Sequence, residues 1–118
     1  MDGPLGRQAF PHPAELHSQS GDLVDPVGEE DLSPHPWLIQ KHPDRILFLT
    51  TRRCHLYCRY CFRRNHTGPE DPSEKEWLSA IQFLNQQNIQ ECILSGGDPL
   101  AVSHSRLSIL FEKLRTPT

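Results

Sequence analysis

No stretch of this chain approaches the roughly 18 consecutive apolar residues that a membrane-spanning helix needs. Nor does either sign of charge dominate: 12 Lys and Arg stand against 15 Asp and Glu, for a formal net charge of -3. A field that weak gathers neither nucleic acid nor an anionic membrane, so neither is expected as a partner. The opening MDGPLGRQAF has neither the basic start nor the apolar segment of an export signal, and a cytoplasmic location is expected. There are only four cysteines, and their spacing rules out a disulfide framework: Cys54, Cys58 and Cys61 fall within eight consecutive residues, while Cys92 stands apart. In a reducing compartment, thiols clustered in this way bind metal or do redox work. With 118 residues the chain has room for one small domain with a modest core.

Six of the eleven prolines lie within residues 1–36, together with the acidic stretch Gly28-Glu29-Glu30-Asp31 and few large apolar side chains. This segment cannot build a core and reads as a Pro-rich extended arm. Residues 37–118 form the folded part. Composition changes at Trp37-Leu38-Ile39, and the nearly continuous apolar run from Arg45 to Thr50 fits a strand buried on both faces. Ser73 and Glu76 have the spacing of a capping box, so a helix should start there. Trp77, Ala80, Ile81 and Leu84 then share one face. A second apolar run, Glu91 to Ser95, leads into Gly96-Gly97-Asp98-Pro99, and Leu107, Leu110, Phe111 and Leu114 mark a second helix. The class is α/β. Two strands joined through a helix should lie parallel, with the loops at their C-terminal ends opening on one side. Those loops hold the cysteines and the Gly-Gly-Asp, and at that end of a parallel sheet the chemistry resides.

Cys54, Cys58 and Cys61 form a C-x3-C-x2-C spacing directly after the first of these strands. Three thiolates on one short loop can each bind a different iron of a four-iron cluster, leaving one iron open to chelate a ligand. Two other uses compete. A zinc site could combine the three cysteines with His55 or His66, although zinc sites usually pair two C-x2-C knuckles and only one is present. A Cys58–Cys61 dithiol would leave Cys54 without a role. Cys92, inside an apolar strand, reads as a small buried hydrophobe. Gly96-Gly97-Asp98-Pro99 alone would be an ordinary turn, and its position after a strand is what singles it out.

Cys54, Cys58, Tyr60 and Cys61 together match C-x3-C-x-aromatic-C, and in this the sequence resembles the radical S-adenosylmethionine (SAM) superfamily. The resemblance implies a [4Fe-4S] cluster on Cys54, Cys58 and Cys61 whose open iron binds the amino and carboxylate groups of SAM, and reductive cleavage to a 5'-deoxyadenosyl radical. It implies that Tyr60 lies near the adenine and that Ser95, Gly96, Gly97 and Asp98 receive the methionine amino group. Glycine is physically apt there, since a missing Cβ lets carbonyls approach a ligand. The fold implied is the first two βα units of a partial (β/α) barrel.

Asp25-Pro26-Val27-Gly28, Leu38 to Arg45, Cys58-Arg59-Tyr60-Cys61-Phe62-Arg63-Arg64 and Leu94-Ser95-Gly96-Gly97-Asp98-Pro99-Leu100, in that order, narrow the resemblance to the lysine 2,3-aminomutase family. Its segment around the second and third cysteines looks closer to the branch that makes β-lysine for elongation factor P than to the free-lysine branch. An isomerase acting on lysine or a related amino acid is implied, with pyridoxal phosphate as a further cofactor. Residues matching Lys41 and Arg45 would face its phosphate, and the residue matching Arg63 would pair with the substrate carboxylate, for which a guanidinium fork is well shaped. Lys41 and Arg45 read equally well as surface charge, and Arg63 and Arg64 as balance for the cluster's negative charge. A full barrel takes roughly 200 residues or more, so a truncated radical SAM core is expected, inactive alone. A fragment, a truncated reading frame and a piece completed by another polypeptide all fit this reading; the partners it admits are a separate C-terminal polypeptide or further copies in a homo-oligomer, and pyridoxal phosphate would bind only in a full-length protein.

Overall fold

A computed structural model describes residues 3–115. The outer ends of the two predicted segments, residues 1–2 and 116–118, lie outside the described residues.

The first 36 residues are not uniformly extended. They carry a six-residue helix, α1 (Pro4–Ala9), and 3-10 turns at Pro13–Leu16 and Glu30–Leu32. Proline explains this departure from an extended arm: Pro4 and Pro13 each occupy a first helical position, where the missing N–H costs nothing. None of the described residues before Trp37 is buried.

Strand β1 (Leu38–His42) runs antiparallel to β2 (Arg45–Thr51), and β2 runs parallel to β3 (Glu91–Gly96), giving the order β1-β2-β3. Strand β1 is an element that the sequence pattern did not show. It is joined to β2 through Pro43 and Asp44, with His42 opposite Arg45. Proline's fixed negative φ excludes a primed hairpin turn, and the register slips between Ile39 and His42.

Helix α2 (Glu74–Gln86) starts at the expected capping box: Ser73 Oγ accepts from the Glu76 amide at 3.3 Å, and Glu76 Oε2 accepts from the Ser73 amide at 2.8 Å. Its buried residues are Trp77, Ala80, Ile81 and Leu84, the face that the period marks. They pack with Leu38, Ile46, Phe48 and Leu110 into one core. Strand β2 buries only one face fully: Ile46, Phe48 and Thr50 are buried while Leu47 and Leu49 are half-buried, because the helical layer covers a single side. Cys92 and Leu94 pair in register with Ile46 and Phe48 and pack against the same core. On α3 (His104–Arg115), Leu110 is buried and Leu107 and Leu114 are partly so. Phe111, expected on that face, is half exposed: it falls beside the Leu107–Leu110–Leu114 seam. Among the described residues no helix is long and apolar enough to cross a membrane.

Candidate functional site

The parallel pairing of β2 and β3 brings their C-terminal loops together, as the element order predicts. Thr51 lies opposite Gly96, the Gly97 amide donates to Thr51 O at 2.9 Å, and the Asp98 amide donates to Arg53 O at 2.8 Å. The root of the cysteine loop is pinned from below. Thr51, 1% exposed, donates from Oγ1 to Asp71 and accepts from the Arg53 amide at 3.0 Å, while Arg53 Nη2 meets Asp71 Oδ2 at 2.6 Å. Thr50 Oγ1 donates to Ser95 O at 3.0 Å, tying the two strands where the loops leave them.

Gly96 and Gly97 serve this junction. A Cβ on Gly96 would stand 2.2 Å from Thr51 O, and one on Gly97 would stand 2.2 Å from Arg53 O and 2.7 Å from Arg52 O. The φ of +123° at Gly96 adds a second reason for glycine. Loop-to-loop backbone approach therefore demands these glycines, a reason that stands beside the expected approach of a ligand. Within the cysteine loop Tyr57 takes a left-handed φ of 47°, a conformation costly for a side chain this large, and it turns the chain between Cys54 and Cys58.

Cys54, Cys58, Cys61, Tyr60, Gly97 and Asp98 all line one largely apolar cavity of about 510 Å³. The three loop thiols are free and partly accessible. Among the described residues no three His, Cys, Asp or Glu side chains converge closely enough to hold a single metal ion. A multi-iron group makes no such demand, since each thiolate meets its own iron. Three free thiols lining one cavity are a donor set compatible with a four-iron cluster that keeps one iron open. Cys58 raises the Tyr60 phenol above its ordinary value, by hydrogen bonding first and by charge second, and both residues line the cavity. His55 Nδ1 and Asp98 Oδ2 meet at 2.7 Å, bridging the two loops. That contact, with the Leu100 amide next, lowers the Asp98 carboxyl below its usual range. Cys92 faces the core instead, and burial pushes its thiol up to about 11.

Not every expected site residue comes to this cavity. Lys41 is exposed on β1, and Arg45 pairs with Glu91. Both lie at the end of the sheet away from the cysteine loop, with the rest of β2 after Arg45 between them and it, a span of about 20 Å. Ser95, Gly96 and Arg63 do not line the cavity either; Arg63 lies beside it against Ser95, and its fork already holds a carboxylate of this chain. Nε donates to Glu29 Oε2 at 2.7 Å and Nη2 to Glu29 Oε1 at 2.5 Å, while Nη1 donates to Ser95 Oγ at 2.8 Å. A second pair follows the same plan: Arg59 Nη2 meets Glu15 Oε1 at 2.6 Å, and Nη1 donates to Arg7 O at 2.5 Å. The N-terminal segment is therefore strapped across the cysteine loop by two Arg–Glu pairs. Sequence reasoning missed Glu15 and Glu29; the only signal was an acidic stretch upstream of an arginine-rich loop.

The model of the Radical SAM superfamily matches residues 48–115. The L-lysine 2,3-aminomutase of Buchnera aphidicola is 44% identical over 113 residues, covering 94% of this chain and 33% of its own length. That of Clostridium subterminale is 39% identical over 115 residues (95% and 28%), and that of Bacillus subtilis 37% over 116 (96% and 25%). The chain thus spans a quarter to a third of the length of the curated relatives it matches.

Proposed function

Because the chain belongs to the radical SAM superfamily, we propose that its cysteine loop holds a [4Fe-4S] cluster on Cys54, Cys58 and Cys61 and presents an open iron to SAM. The observation that carries this is the cavity shared by the three free thiols with Tyr60, Gly97 and Asp98. Held by Cys54, Cys58 and Cys61, such a cluster would supply one low-potential electron, itself taken from an external reductant, for reductive cleavage of the S–C5' bond of SAM.

This chain's own residues bind and orient. The Thr51–Asp71–Arg53 contacts fix the start of the loop, and the His55–Asp98 contact holds it to the loop after β3. Tyr60 is proposed to lie along the adenine, and Ser95, Gly96, Gly97 and Asp98 to receive the methionine amino group.

Lysine 2,3-aminomutation with pyridoxal phosphate is the activity proposed for the whole protein, on the strength of relatives named for it. Its radical core is proposed to extend into a partial (β/α) barrel, of which β2–α2 and β3–α3 are the first units. Residues 1–36 and 37–118 are proposed as its segments, and the cytoplasm as its compartment. Lys41 and Arg45 enter a phosphate site only if further chain builds one at their end of the sheet.

The test is release of 5'-deoxyadenosine from SAM by the reconstituted, reduced chain. Release that disappears in Cys58→Ala supports the reading, whereas a fully loaded cluster that never cleaves SAM counts against it. Assaying β-lysine with pyridoxal phosphate and lysine, with and without a separately supplied C-terminal polypeptide, tests the larger proposal: β-lysine only in its presence supports it.

A further inference from the structure

Arg63 is a nearly buried cation, its side chain 11% exposed, and its partner Glu29 is 17% exposed. A guanidinium has five N–H donors. Glu29 takes one on Nε and one on Nη2, and Ser95 takes one on Nη1, so one N–H on each terminal nitrogen remains. The ring of Phe62 lies 4.8 Å from the guanidinium carbon and fixes its plane. Ser95 sits 2.8 Å from that charge and belongs to the stretch that borders the cavity at Gly97 and Asp98. Left uncompensated, the positive charge of Arg63 would repel any ammonium group that approached Ser95, and at 11% side-chain exposure solvent screens it weakly.

We propose that Glu29 is a positioning residue of the cysteine-loop site: it neutralises and orients Arg63 so that Ser95 and the Gly96-Gly97 backbone can accept the ammonium end of an amino-acid-bearing ligand. The inference rests on the reading above that the cavity takes SAM. It makes the N-terminal segment a functional part of the site, because Glu29 reaches Arg63 across 34 residues of chain.

The experiment compares SAM affinity, per loaded cluster, for wild type, Glu29→Gln, the exposed neighbour Glu30→Gln, and the double variant Glu29→Gln with Arg63→Gln. Glu29→Gln should weaken SAM binding about tenfold, the scale on which supporting hydrogen bonds act around cofactor sites, and Glu30→Gln should not change it. The double variant should regain most of the affinity, because the unmatched charge is gone; a purely structural clamp would leave it as weak as the single variant or weaker. 5'-Methylthioadenosine, which carries the nucleoside without the amino-acid end, should bind Glu29→Gln and wild type alike. Equal SAM affinity in Glu29→Gln and wild type overturns the role of Glu29 alone. Tighter binding in Glu29→Gln also overturns it, by making Glu29 a competitor for Arg63. A wild-type chain that takes up no iron and binds no SAM overturns the cluster reading itself.

Discussion

Gly97 packs so closely on Arg53 that a Cβ there would stand 2.2 Å from the Arg53 carbonyl oxygen, the same oxygen that accepts from the Asp98 amide at 2.8 Å. The obstacle is backbone, which cannot swing aside as a side-chain tip would. Gly97→Ala should therefore force the two loops apart and cost about 1–3 kcal/mol, the usual scale of overpacking. Thermal unfolding measures the loss, and iron content after reconstitution should fall with it; a variant with wild-type melting and iron content would show that the junction tolerates the methyl group.

Cys92 should behave as an inert thiol. Burial raises its pKa to about 11, so at pH 8 only about one thiol in a thousand is the nucleophilic thiolate, and that fraction climbs as pH rises toward 11. Mass spectrometry of the metal-free chain under limiting iodoacetamide at pH 8 should find Cys54, Cys58 and Cys61 modified before Cys92, and Cys92→Ala should retain iron. Loss of iron in Cys92→Ala would place a ligand where none is proposed.

The core should fail at Phe48. It is fully buried and lies against Trp77, with ring centroids 5.8 Å apart. Phe48→Ala should cost about 3–5 kcal/mol, a large share of what so small a domain has to lose. Chemical denaturation should show it largely unfolded in buffer; an unshifted midpoint would mean that the sheet and α2 do not share this core.

At the start of α2, Ser73→Ala should lower stability by about 1 kcal/mol, the ordinary worth of an N-cap. The same box gives a pH dependence. Ser73, through its hydroxyl and then its amide, holds the Glu76 carboxyl below its usual value of 4.5. A folded-state value that is depressed contributes stability present above the unfolded value and lost as pH falls through the folded one. Wild type should therefore lose more stability than Glu76→Gln between pH 5 and pH 3, and equal losses would remove the box from the account.

Much of this was readable in advance, and what was missed shares a cause. Helix α2 declared itself because Ser73, Glu76 and the Trp77–Leu84 period are local signals, and the meeting of the two loops followed from the strand–helix–strand order. Strand β1 did not, because only Leu38 and Ile39 are buried and Gln40-Lys41-His42 turn outward, leaving a half-exposed edge strand with no period. Phe111 shares a helical face with Leu107, Leu110 and Leu114 by period, but the neighbouring elements cover only the Leu107–Leu110–Leu114 seam. Glycines 96 and 97 were noticed for what a ligand would need, while the space they save is taken by Thr51, Arg52 and Arg53 carbonyls. The pairing of Glu29 with Arg63 was illegible because a contact between charges 34 positions apart leaves no periodic trace in the sequence.

The central claim is that three thiols on one loop hold a four-iron cluster, and anaerobic reconstitution with iron and sulfide tests it most directly. The account predicts about four irons and four sulfides per chain, with broad charge-transfer absorption that bleaches under dithionite. It also predicts loss of that absorption in Cys54→Ala, Cys58→Ala and Cys61→Ala. A colourless chain that binds one zinc per molecule and takes up no iron would contradict it.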